Sequence, residues 1–474
     1  MATSKEQLEK ALSSSGLDKL DSKYPDLDRA YKVLNNKLAG YNNLWDYYDG
    51  DQPLMYTARR MRDLFRGLDM STFVENWCAV VIDAANDRIN LSSVSVKSSS
   101  DNDLLEEAWQ SKEVGLEADD VHEAALVVGE SYVIVWPDED EKAEIFYNDP
   151  RLVHLFYDPA NPKKKRYGAK WWVDSAQHLR ITLYYPDRLE YYRSTKLAKN
   201  VSSVKAFRPF SPDDSEGGET AENTYAEVPI FHFRIERRKV KGDLANAVPL
   251  QNGINKLLTD MMVAAEYGAF SQRYIISHAD TASLKNAPGQ IWEVPAGDGI
   301  GEPTKIGQFE ATPLENYIKA IDHLASSMAI IARTPKHFLF QQGGDPSGEA
   351  LIAMEAPLNK RCNDHIEKFK PVWKEVVVFM LKVMKKDTLK EDVEITFDKP
   401  ETIQPLAEAK IRTEGKNAGI PLKTMLRDEG KSEAWMEQME KDKKEEQKES
   451  SNNLGAALAK AMRDSNQPGE TEEE

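Results

Sequence analysis

The residues best suited to chemistry in this chain are acidic. Asp119-Asp120 and Asp213-Asp214, the latter followed by Glu216, are pairs of the type that hold a divalent cation for phosphodiester hydrolysis. Such a site needs oxygens converging from separated segments, together with a base. Neither the spacing nor a matching histidine is present, so solvated charge is the better reading. A metal-dependent nuclease or recombination enzyme built on Asp119, Asp120, Asp213 and Glu216 stands as the competing one. The eight histidines show no HExxH or other metal-ligand spacing. His154 and His232 lie in aromatic, β-branched runs that suit satisfied sheet histidines, and His278, His323, His337 and His365 form no pattern. Cys78 and Cys362, the two cysteines, make no CxxC pair and fall on apolar helical stretches. That excludes a disulfide framework and fits folding in a reducing compartment. No GxxxxGK[ST] loop occurs, and the glycines of PAGDGIGEP lack the strand-to-helix context of a phosphate cradle. The sequence therefore predicts no catalytic residue, no cofactor and no metal.

Phosphate contact is the other available chemistry. ANPKKKRYG at 160–168 is the clearest basic cluster, and Arg237, Arg238, Lys239 and Lys241 form a second. Both also suit ordinary turn and linker surface. A formal charge of −17 argues against indiscriminate nucleic-acid binding by the whole surface. It permits transient contact with a duplex that has to slide. Between these extremes lies a polar, glycine-rich break containing Lys336, Gln341, Gln342, Gly343, Gly344 and Asp345. It reads either as a plain helix connection or as a loop projecting into a passage or partner.

Stiff elements must hold that break. Before it, Leu314, Tyr317, Ile318, Ile321, Leu324, Met328 and Ile331 recur at three- and four-residue spacing, predicting one long helix with one apolar face. Thr334-Pro335 ends it, because the residue before proline is pushed out of helical geometry. Asp345-Pro346-Ser347 supplies cap chemistry for a helix starting near Gly348. Upstream, 242–270 predicts a second apolar-faced helix through Leu250, Ile254, Leu257, Leu258, Met261, Ala265 and Phe270. QRYIISH and GQIWEVP form a small β insertion between the two. The first 240 residues open with helices over 22–50, about Thr72 to Arg88 and 101–129. Short strands follow (SYVIVWP, AEIFYNDP, LVHLFYDP, YGAKWWVD, HLRITLYYPD, RLEYYR), then a polar loop, FRPFSPDDSEGGETAENTY, and a closing strand, VPIFHFRI. After Gly348 the helical pattern runs through Leu351, Cys362, Phe369 and Met380. Pro357 and Pro371 demand kinks or breaks there. A strand EITFDKP, helices around 403–430 and a charged, low-complexity tail from Glu440, expected to fray, complete the chain. At 474 residues and 41% apolar composition it predicts an α+β protein of about three units. Neither a signal-type apolar segment nor a membrane-spanning run is read in it.

The order of these segments resembles the portal proteins of tailed bacteriophages, in particular those of long-tailed siphophages. The resemblance rests on LWDYYDGDQPL, VENWCAVVIDAANDRI, the helix, module and helix over 242–333, and ARTPKHFLFQQGGDPSGEAL. It implies an α+β portal fold with wing, two-helix stem, small α/β clip and helical crown, closed into a ring of about twelve copies around a central DNA channel. On this chain the wing would be 1–242 and 348–400, with stem helices at 243–270 and 313–333. The clip would be 271–312, the tunnel loop 334–347, the crown 401–440 and the charged tail 441–474. Leu250, Ile254, Leu257, Met261, Leu314, Ile318, Ile321, Leu324 and Met328 would pack the stem, while Lys336, Gln341, Gln342, Gly343, Gly344 and Asp345 would line the channel. The implied role is a structural conduit, not an enzyme. Its partners would be further copies of itself, double-stranded DNA without sequence preference, the terminase large subunit, the head-to-tail adaptor, and the major capsid and scaffolding proteins, with no membrane. It would sit at a single capsid vertex of the virion after assembly in the host cytoplasm. A monomeric adaptor is the remaining alternative, and it would need the apolar stripes buried within one chain.

Overall fold

The computed structural model describes residues 24–52, 74–111, 113–212, 219–269, 273–276, 305–339, 347–401, 405–428, 435–436 and 438–446. Helix α1 (Pro25–Asp49) starts with proline in its first turn, carries Asp26 and Asp28 there, and stops at Gly50 with φ of 86°. That is the expected chemistry at both ends: a donor-free residue and anions where N–H groups are unpaired, and a left-handed glycine after the last turn. Helix α2 runs Trp77–Asn86. It begins later than the apolar pattern suggested, because Asn76 acts as its cap, its side-chain oxygen accepting from the Ala79 N–H at 3.3 Å. The helical stretch over 101–129 is two helices, α3 (Ser99–Ser111) and α4 (Val114–Val128), divided where Glu113 takes φ of 50°.

Strand β1 (Leu91–Val96) carries too many serines to announce itself, and it pairs antiparallel with β13 (Val393–Phe397). The aromatic strands divide between two sheets instead of forming one meander. β2 (Glu130–Pro137), β3 (Ala143–Asn148) and β10 (Ile230–Arg234) form the first, in the order β10-β2-β3. The second contains β4 (Val153–Tyr157), β5 (Lys165–Val173), β6 (His178–Tyr184), β7 (Arg188–Leu197) and β8 (Phe207–Pro209) in sequence order, with β9 (Thr220–Glu222) also on β7. β8 and β9 lie within the stretch expected to be all loop. They share one edge of β7, where Ser194 meets Phe207 and Arg188 meets Glu222. Short segments of this kind are strands only because a neighbouring edge offers unpaired N–H and C=O groups.

Helix α5 (Val248–Ala269) leads to β11 (Arg273–Ile276), which pairs with β12 (Lys305–Gln308) before α6 (Glu315–Ala332) returns. A one-turn helix, α7 (Lys336–Leu339), comes next, followed by α8 (Gly348–Val383), a single helix with Pro357 and Pro371 inside it. The prolines do not break it. The largest buried side chains of α8, Phe369, Trp373 and Phe379, are held in the main core, so tertiary packing outweighs the missing hydrogen bonds. α9 (Pro405–Asn417) and α10 (Leu422–Asp428) close the numbered elements. Residues 438–446 of the charged tail are helical, with Gln438 bonded to Asp442 at 2.8 Å and Lys423 paired with Glu440 at 2.7 Å.

The main core joins α2, α4, β2, β3, β10 and α8 to the lower ends of α5 and α6. Its backbone is tight in one place. Gly129 (φ of 103°) and Gly242 let the chain before α5 cross the end of α4, where a Cβ on Gly242 would stand 2.0 Å from the Val127 carbonyl oxygen. A separate core forms where α1 lies on the second sheet. There Leu27, Tyr31 and Leu34 pack against Trp171 and Phe207, with Tyr31 edge-on to both rings at 6.2 and 5.7 Å.

Candidate functional site

The helices α5 and α6 form an antiparallel hairpin. Gly253 approaches the Leu324 methyl group, where an added Cβ would lie at 3.1 Å, and Gly268 stands similarly close to Ala311 at 3.3 Å. The same antiparallel pairing continues into β11 and β12, where Arg273 lies opposite Gln308. The apolar stripe read from the sequence divides along this hairpin. Ile254, Ile321 and Met328 are buried in the main core, with Leu250, Leu257 and Leu324 packed against it. Met261 and Ile318, nearer the β pair, are half-buried, and Leu314 is exposed. Ile331 was grouped with the buried stripe, but it is 50% exposed and its neighbour Ile330 is 78% exposed. The residues around the β pair add exposed Tyr274, Ile276, Ile306 and Phe309.

Polar side chains fix the base of the hairpin. Buried Gln251 donates to the Glu75 carbonyl at 2.6 Å and accepts from the Trp77 N–H at 3.0 Å, and Tyr47 donates to Asn252 at 2.6 Å. On α8, Arg361 donates to the Ala332 carbonyl at the end of α6 and, at 3.0 Å, to Val81 in α2. Its Nε lies 3.6 Å from Asp243, which also meets His365 Nε2 at 2.9 Å. Burial alone would raise the Asp243 carboxyl, but the His365 hydrogen bond and the nearby cations hold it below its ordinary range. One ionic joint thus ties the entry to α5, the end of α6 and the middle of α8. Sequence reading passed over His365 because its partner lies 122 residues away.

Helix α6 ends as expected. Arg333 takes a left-handed φ of 53° and buried Thr334 donates its N–H back to Ala329. Lys336, read as a phosphate contact, lies in α7 with its ammonium 2.7 Å from Asp322 on α6. Glu315 and Lys319, exposed, pair with each other at 2.9 Å. Gln341, Gln342, Gly343, Gly344 and Asp345 lie outside the described residues. Ser347 caps α8, accepting from the Ala350 N–H at 3.3 Å.

Of the competing acidic set, Asp119 and Asp120 sit on α4 while Asp213 and Glu216 lie outside the described residues. Among the described residues no three acidic, histidine or cysteine side chains gather as a metal site. The basic run at 163–166 is partly turned inward. Half-buried Lys165 places its ammonium over the Phe231 ring at 3.9 Å with Glu227 at 3.6 Å, and Arg166 pairs with Asp26 at 3.1 Å.

His154 and His232 belong to a buried network that sequence reading saw only in part. Glu130, at the start of β2, accepts from Tyr41 at 2.8 Å and meets His232 Nε2 at 3.0 Å, with Lys37 at 3.4 Å. Lys37 also donates to the Val153 carbonyl at 2.6 Å, and Tyr132 meets His154 Nδ1 at 3.2 Å. Burial works to raise Glu130, yet the His232 hydrogen bond and the Lys37 charge hold its carboxyl well below the usual range. Burial pushes His154 down to about 3. The network staples α1 to both sheets. It is fully engaged internally, which makes it structural.

No helix among the described residues is long and apolar enough to cross a membrane. The described residues thus form a helical hairpin carrying a β pair, set on a sheet-rich body and followed by one long helix. The chain belongs to the phage portal protein family described as SPP1 Gp6-like, whose model matches residues 28–449. It is 30% identical over 149 residues to the portal protein of Mycobacterium phage D29; the aligned part is 30% of this chain and 31% of that relative's length. Among solved structures it is similar to a chain of the "Neck of empty GTA particle computed with C6 symmetry", at TM-score 0.43 and 11% identity, covering 77% of this chain and 90% of that one.

Proposed function

We propose that this protein is the structural portal of a tailed-phage capsid, a closed ring of about twelve copies whose channel passes double-stranded DNA during packaging and ejection. Family membership supports the portal role. The observation that carries the ring is the apolar surface a single chain leaves open on and beside the α5–α6 hairpin, at Leu314, Ile330, Ile331, Tyr274, Ile276, Ile306 and Phe309. Surface of this kind marks an interaction site. In a closed ring it would meet a different face of the neighbouring copy, a heterologous contact that closes by rotation.

On this reading 1–242 and 348–400 form the wing and 243–270 with 313–333 the stem. The clip is 271–312, which docks the terminase large subunit and later the head-to-tail adaptor, and 401–440 is the crown. The loop 334–347 faces the channel, where the glutamines, glycines and Asp345 graze DNA. Few strong phosphate contacts keep the duplex sliding, since each neutralised phosphate adds grip. Lys336 contributes less than its charge suggests, because Asp322 already partners it. Work is done by a separate motor, so the protein is not an enzyme. Major capsid and scaffolding proteins surround it at one virion vertex, after assembly in the host cytoplasm.

Native mass spectrometry of the purified protein, with images viewed down the particle axis, is the test. Rings of about twelve subunits with a central hole are expected. A monomer or dimer persisting across concentration and salt would overturn the reading in favour of an adaptor.

A further inference from the structure

A cavity of about 280 Å³ opens where the end of α6, the middle of α8 and the 235–246 linker meet. Its walls are rich in cations, Lys241, Arg333, Arg361 and Lys368, and the His365 ring lines them too. Of the acidic groups there, Asp364 is paired with Lys360 at 3.1 Å, and Asp243 is engaged by His365 and Arg361. Glu236 is exposed at the rim. Positive charge is thus left over inside a concave, polar space.

Two buried atoms sharpen this. Arg361 is 6% exposed and His365 5% exposed, and each keeps one buried nitrogen without a hydrogen bond: Arg361 Nε, which meets Asp243 only at 3.6 Å, and His365 Nδ1. Buried polar atoms are ordinarily satisfied, and those that are not point to a missing ligand, ion or water. Arg361 cannot lose its charge, and its Nε is a donor only. The cavity can hold an oxyanion with accompanying water. Guanidinium groups match the geometry of phosphate oxygens, and lysines add compact charge at the rim.

We infer that this cavity is a binding site for a phosphate-class oxyanion. Arg361 and His365 form its floor, and Arg333, Lys241 and Lys368 supply the surrounding charge. Two sources share that chemistry: free inorganic phosphate and a backbone phosphate of duplex DNA. Only the second rests on the channel reading, since Arg333 immediately precedes the loop assigned to the channel. A bound anion would also bridge α6 to α8 at the ionic joint, stiffening the base of the hairpin.

The test is a calorimetric titration of the full-length protein with inorganic phosphate at constant ionic strength, in the wild type and in Arg333→Ala, Lys241→Ala and the double variant. These side chains lie outside the buried joint, so folding is kept, and matching unfolding midpoints would establish that. Saturable binding in the wild type, weakened about threefold by each single change and about tenfold by both, is expected. No saturable heat in the wild type, or equal binding by the double variant, would overturn the site. A short blunt duplex is then added as competitor. Displacement of phosphate by the duplex assigns the backbone source, whereas its failure beside intact phosphate binding supports the site with free phosphate as its ligand. Binding is read on rings and single chains alike, so an absence of rings would sink the portal reading without touching this one.

Discussion

Two regions of this chain use the same kind of apolar helix face in opposite ways. Helix α1 buries Leu27, Ala30, Tyr31 and Leu34 against a complete sheet, and its core is closed within one copy. Among the described residues the α5–α6 hairpin has a third layer only at its base, where Ile254, Ile321 and Met328 join the main core, and it emerges with Leu314 and Met262 exposed. Sequence announces apolar positions in both, Leu34, Leu38, Tyr41 and Leu44 in the first helix and the stripes of the hairpin in the second region. It says nothing about whether the covering surface is in the same chain. A face left open on a thin two-helix arm makes assembly the natural means of covering it.

The comparison is broken most forcefully from the body. Trp373 is fully buried, lies 5.0 Å from the Phe233 ring and donates its indole N–H to His122 at 2.9 Å. Trp373→Ala is expected to cost about 3–5 kcal/mol in urea unfolding; a loss below about 1 kcal/mol would mean that the body is not the stability centre. Acid should strike the same region next. Burial pushes His122 and His154 down to about 3 in the folded state, against about 6.5 unfolded. Between those values the unfolded chain binds more protons, so the stability present at neutral pH is lost as pH falls from about 6.5 toward 3. A fall on the order of 1 kcal/mol per pH unit is expected, and a flat profile of unfolding midpoints from pH 7 to 4.5 would contradict it.

Smaller effects on stability sharpen the other side. Ile330→Lys combined with Phe309→Lys changes only exposed positions, so the unfolding midpoint of the single chain should move by no more than about 0.5 kcal/mol. Assembly into rings should nonetheless disappear in native mass spectra; rings that persist would separate the exposed hairpin surface from assembly. Least of all should Cys78 and Cys362 respond to a thiol reagent under native conditions. Burial pushes their thiols up to about 12 and about 11, leaving almost no thiolate. Stoichiometric labelling without denaturant would show the body to be more open than its packing indicates.

Local chemistry was legible wherever it is complete within a few residues. The Thr334-Pro335 stop, the Ser347 cap, the apolar face of α6 and most aromatic strands follow from one or two turns of sequence. Helix starts were less legible: Asn76 caps α2 several residues inside the apolar pattern, and Glu113 divides α3 from α4 by a left-handed backbone turn with no glycine to mark it. The candidate site was legible as a stripe and a break. Its ionic joint was not, because Asp243, Arg361 and His365 acquire meaning only when brought together.

By itself the sequence determined the periods, stops and caps, the absence of familiar catalytic motifs, and a segment order that resembles phage portals. Tertiary structure alone decided that Pro357 and Pro371 stay inside one helix, that serine-rich β1 is a strand, that the aromatic runs split into two sheets, and that Ile331 faces outward. The reason is physical. Propensity and capping act within a turn or two of chain, whereas strand pairing, burial and charge compensation depend on what lies across the space, and that partner can be hundreds of residues away.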